Sequence, residues 1–138
     1  SRGLEPYRNS WMANGGYHYQ DPYIECFSHT HVDGAGGQDW MNFGVTVTRQ
    51  LTHDTVRDAG YKSTFTHDGE AAAVGYYAVN LDTPSVYAEV TACGTHAGRH
   101  RYTCRSRAPL DEPCILVLDI CHVAFKHNLF DFAEACKA

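Results

Sequence analysis

At 138 residues, with 11 Lys and Arg against 16 Asp and Glu and a net charge of −5, the chain has the length of one ordinary domain. It lacks the basic surplus of a nucleic-acid binder. The longest apolar run, Ile115 to Leu118 with its flanking cysteines, is far too short to cross a bilayer.

A chain of this size buries roughly two-thirds of its unfolded surface, so disulfides are not required to hold it together. Six cysteines are nevertheless present, at 26, 93, 104, 114, 121 and 136. None forms a C-x-x-C pair, which weakens zinc-ribbon and thioredoxin-like readings. Their number favours a partly disulfide-bonded chain of the extracellular space or secretory pathway. The opening "SRGLEPYRNS" has no charged region followed by an apolar one, so no signal peptide is expected within it.

In chain order, "FGVTVTRQ" (43–50) is the first expected strand, with Phe43, Val45 and Val47 on one side. It is followed by "YKSTFTH" (61–67), "VGYYAVNL" (74–81), "SVYAEVTA" (85–92), "GRHRYTC" (98–104) and "CILVLDIC" (114–121). Each is short and rich in β-branched or aromatic residues, and Asp68-Gly69, Asp82-Thr83-Pro84, Gly94 and the 109–113 stretch break the chain between them. Tyr77, Val79 and Leu81 alternate, as do Val86, Ala88 and Val90, so each strand has one face to bury. Only the end, "FKHNLFDFAEACKA", has helical spacing, with Leu129, Phe132, Ala133 and Cys136 at i, i+3, i+4 and i+7. The expected fold is an all-β antiparallel sandwich with a short C-terminal helix, one domain over 1–138.

Two constellations could carry chemistry. In "HTHVD" the side chains of His29, His31 and Asp33 share one face of an extended segment, and two imidazoles with a carboxylate suit zinc. The set is similar to the H-x-H-x-D-H signature of metallo-β-lactamase-type hydrolases, but Gly34 stands where the last His is needed. The plainer reading is histidines hydrogen-bonded within a strand and turn. The second group is aromatic: Trp11, Tyr17, Tyr19, Tyr23 and Trp40 surround a Gly34-Ala35-Gly36-Gly37 run. Aromatic faces stack on sugar rings, and glycines let the backbone approach a ligand, although strand tyrosines more often serve packing. No pair of carboxylates has the spacing of a glycosidase acid and base, no G-x-S-x-G elbow is present, and "GAGG" lacks the Lys-Ser/Thr of a phosphate loop.

The order of the pieces says more than any one of them. "GGYHYQDPYIECFSHTHVDGAGGQDW", "FTHDGEAAAVGYYAVNL", "VYAEVTACGTHAGRHRYTC" and "ILVLDICH" follow one another as do the motifs of glycoside hydrolase family 92, and the chain resembles part of that family's N-terminal β-sandwich domain. The resemblance runs from about residue 11 to 122. It departs from the family pattern at Cys26, at Val32-Asp33, and at Asp39-Trp40-Met41-Asn42.

What the resemblance implies is a piece of a calcium-dependent exo-α-mannosidase. In the family, the catalytic carboxylates and most calcium ligands belong to a second, barrel domain, so this chain is expected to be non-catalytic alone and to bind no cofactor itself. Trp11 aligns with a family Trp, and Trp11, His18, His29, His31, Asp39 and Trp40 are the expected carbohydrate-facing residues. A mannose-containing glycan and other protein chains completing the sandwich are the implied partners. The alternatives are a structural or interaction module within a larger assembly, and a zinc hydrolase at His29, His31 and Asp33.

Overall fold

A computed structural model describes residues 17, 19–28, 43–56, 60–105 and 113–120. Nine strands are formed by these residues: β1 (Tyr23–Ile24), β2 (Phe27–Ser28), β3 (Gly44–Thr48), β4 (Ser63–Thr64), β5 (Ala71–Ala73), β6 (Tyr76–Leu81), β7 (Val86–Ala92), β8 (Gly98–Cys104) and β9 (Ile115–Asp119). The helical content among them is one turn at His53–Val56 and a 3-10 turn at His67–Gly69. The expected all-β, antiparallel class is borne out. The expected C-terminal helix lies outside the described residues.

The strands form three sheets, in the orders β1-β4, β2-β3-β9 and β5-β6-β7-β8. Pro22–Glu25 and Val47–Leu116 make one compact unit and the rest of the chain another. The four-stranded sheet, wholly inside the first of these, is the best-formed part, and its strands pair antiparallel throughout.

Register explains why that sheet has one apolar face. Leu81 pairs with Val86, Val79 with Ala88 and Tyr77 with Val90, so the two alternating patterns legible in the sequence coincide on one side. Leu81, Val79 and Val86 are the largest fully buried side chains. The opposite side carries Tyr76, Asn80, Tyr87, Glu89, Thr91, Arg99, Arg101 and Thr103 around the small, buried Ala78.

The connections are specific too. Between β5 and β6 the loop is Val74-Gly75, with Gly75 at φ +71°. A positive φ at the second central residue but not the first is the type II pattern. Between β6 and β7 the Ser85 amide donates to the Asp82 carbonyl at 3.2 Å, and Ser85 itself takes φ +56°. Arg49, just past β3, pins this turn: Nε donates to the Pro84 carbonyl at 2.7 Å and Nη2 to the Arg105 carbonyl at 2.6 Å.

Three boundaries differ from expectation. In the 61–67 stretch only Ser63–Thr64 is strand, because the chain turns at His67–Gly69 to place Gly69 against Asn80. β3 is not one-sided: Gly44, Thr46 and Val47 are all buried, while Phe43 is exposed. β5 was not expected, since three alanines have little strand propensity of their own. Ala71–Ala73 becomes strand because the Val74-Gly75 turn folds it back along β6.

Candidate functional site

All six residues expected to face carbohydrate (Trp11, His18, His29, His31, Asp39 and Trp40) lie outside the described residues, as does the His29, His31, Asp33 set. What the structure does place is a polar cluster at one end of the apolar face of the four-stranded sheet, built from residues of two different sequence motifs.

Glu70 is its centre. The 3-10 turn brings His67 and Glu70 onto the same side, three residues apart, and Glu70 then leads directly into β5. Its Oε1 accepts the phenolic proton of Tyr77, from β6, at 2.5 Å. Its Oε2 is hydrogen-bonded to His67 Nδ1. An ionised carboxylate only accepts, so with Glu70 ionised His67 donates from Nδ1, and a neutral ring then keeps Nε2 as an acceptor. Phe65 fixes the imidazole from the side, its ring edge-on at a centroid distance of 5.4 Å. The Glu70 side chain is only 11% exposed against 34% for His67, so the carboxylate is the buried anchor and the imidazole reaches outward.

Two strands away, β8 contributes His100 and Tyr102, whose Nδ1 and hydroxyl are 2.9 Å apart. Tyr77 pairs with Val90, and Val90 with His100, which puts Tyr77 and His100 on one row of the face, roughly 10 Å apart by strand spacing. The end of the apolar face is thus rimmed by two imidazoles, two phenols and a carboxylate. Such groups donate and accept hydrogen bonds to hydroxyls without any single one being a strong nucleophile.

The reverse side of the sheet holds a second network. Glu89 lies opposite Arg101 in register, and the guanidinium grips the carboxylate with Nε on Oε2 at 2.5 Å and Nη2 on Oε1 at 2.6 Å. Tyr76 donates to Glu89 Oε1 at 3.0 Å. The Arg101 hydrogen bond holds the Glu89 carboxyl below the usual carboxylate range, and Glu89 in turn raises the guanidinium. The Glu89 acceptor, with burial second, pushes the Tyr76 phenol up to about 12. This is a cross-strand brace, with Arg101 67% exposed at its outer end.

Glu70 and Glu89 are both taken up by protein donors, and among the described residues no group of three or more His, Cys, Asp or Glu could hold a metal ion. Among the described residues one disulfide is present, Cys104–Cys114, joining the end of β8 to the residue before β9. Among the described residues no helix is long and apolar enough to cross a membrane.

Sequence reasoning did not single out His67, Glu70, Tyr77, His100 or Tyr102. A signal existed: "FTHDGE" and "GRHRY" both stand inside the collinear motifs. Only the register shows that they share one face. Compared with known families, the chain matches the glycosyl hydrolase family 92 N-terminal domain over residues 3–130. No curated protein matches it.

Proposed function

The chain belongs to the glycosyl hydrolase family 92 N-terminal domain family, and from that premise we propose that it assists recognition of α-mannosides without hydrolysing them on its own. The observation that carries the reading is the family match over nearly the whole chain. The polar rim supports it, because Glu70 ties His67 to Tyr77 and offers groups suited to sugar hydroxyls.

In this reading Trp11, His18, His29, His31, Asp39 and Trp40 face the carbohydrate, with Trp11 stacking on the sugar ring. Catalytic carboxylates and the calcium of the family's enzymes lie outside residues 1–138, and the setting is the secretory pathway or outside the cell. The Cys104–Cys114 disulfide agrees with that location.

Incubating the chain with an aryl α-mannoside and calcium should release no aryl alcohol. Turnover that follows the purified chain would overturn the non-catalytic assignment.

A second reading is favoured by the departures at Cys26, Val32-Asp33 and Asp39 to Asn42, which fall in the expected sugar-facing loop. There the domain is retained for assembly and sugar binding is lost. Titration with mannose-containing glycans separates the two.

A further inference from the structure

Charge is unevenly spread along the chain. Residues 90–105 contain Arg99, Arg101 and Arg105 and no Asp or Glu, although the whole chain carries −5. Arg99 and Arg101 stand two apart in β8, so both side chains belong to the face of the sheet that bears Glu89. Both are exposed, and so is Thr103, the next residue on that face. All of them lie in the compact unit that holds the whole four-stranded sheet.

The two arginines differ in how they are held. Arg101 uses Nε and one hydrogen of Nη2 on the buried Glu89, which fixes its fork and leaves its other N–H groups pointing outward. Arg99 makes no hydrogen bond or ion pair among the described residues. Glu89 compensates one of the two positive charges, and the pair offers donors and no acceptor. Such a surface calls for an anion rich in acceptors, and the carboxylate is the group whose two oxygens match a guanidinium fork.

Strand spacing sets the arrangement. Alternate residues of an extended segment repeat about every 7 Å, which holds for Arg99 and Arg101 and equally for acidic residues at i and i+2 of a partner. A second copy presenting the same face is disfavoured, because it would set arginine against arginine. A nucleic acid would find two guanidiniums too few for strong phosphate neutralisation. We propose that the Arg99–Arg101 face of β8 docks an extended acidic segment of a protein partner, with carboxylates at alternate positions, each gripped by one guanidinium. Tyr77 and His100 project from the reverse of the sheet, so the proposal stands whether or not the chain binds sugar.

Fluorescence anisotropy of a labelled peptide of alternating Thr and Glu, titrated with the full chain, tests this. Saturable binding is expected, and it should weaken as NaCl is raised. Arg99→Gln leaves the Glu89 brace intact and should weaken binding about tenfold or more, the loss of one charge-assisted pair. Arg101→Gln should weaken it at least as much, and if that variant does not fold, Arg99→Gln decides alone. The same peptide with Gln in place of Glu should not bind, and one with its glutamates consecutive should bind more weakly. No binding by the folded chain, binding indifferent to Arg99→Gln, or equal binding of the consecutive-glutamate peptide would overturn the proposal. So would tighter binding of single-stranded DNA than of the alternating peptide, since phosphates would then be the ligand.

Discussion

Tyr77 Oη donates to Glu70 Oε1 at 2.5 Å, joining the 3-10 turn to the middle of the sheet across the short β5 hairpin. The same carboxylate holds His67, so one buried acid orients both side chains. Removing the phenol alone costs one charge-assisted hydrogen bond, whereas removing the carboxylate strands two donors. Tyr77→Phe should therefore lower stability by about 1–2 kcal/mol and Glu70→Ala by about 2–4 kcal/mol in urea unfolding. Equal costs would show that the two donors are not tied to one acceptor.

The Glu89 brace predicts a pH profile with two shoulders. Glu89 is lowered when folded, so its contribution is present above the ordinary carboxylate pKa and lost as pH falls through the depressed value. Tyr76 is raised, to about 12, so its contribution is full below the ordinary phenol pKa and lost as pH climbs from there towards the raised value. Glu89→Gln should bring the Tyr76 titration, followed by phenolate absorbance, back towards that ordinary value. An unmoved titration would remove Glu89 as the cause.

Arg49 contributes to stability through the β6–β7 turn. Its donors meet the carbonyls of Pro84 and Arg105, fixing where β7 starts and β8 ends. Arg49→Ala should cost about 1–3 kcal/mol. Arg49→Lys should recover less than half of it, because an ammonium cannot reproduce the fork. Full rescue by Lys in thermal unfolding would show that charge alone suffices.

Val74 is fully exposed and occupies the first central position of the β5–β6 turn. Proline is pre-set for that position, and Ala73 before it is already extended. Val74→Pro should raise stability by about 0.4–1 kcal/mol by restricting the unfolded chain. A loss in thermal unfolding would mean that the turn is not type II.

The four-stranded sheet was the most legible part of this sequence, because alternation alone fixed which sides of β6 and β7 face inwards. β8 was expected at its observed bounds, Gly98–Cys104, since a short run with an aromatic and a β-branched residue stands there between the breakers at Gly94 and 109–113. The alanine strand was not legible, because its pairing depends on the turn that follows rather than on its own side chains. His67, Glu70 and Tyr77 were visible as motif residues but not as one cluster. Their meeting depends on the 3-10 turn at His67–Gly69, where the expected 61–67 strand ends.

The reading of this domain as a mannoside-recognising partner is met most directly by titration calorimetry of the folded chain with α-mannose-containing glycans. The account predicts saturable binding that Trp11→Ala weakens by about tenfold or more, the loss of one stacked ring. Absence of binding by the folded chain, or binding indifferent to Trp11→Ala, would contradict it.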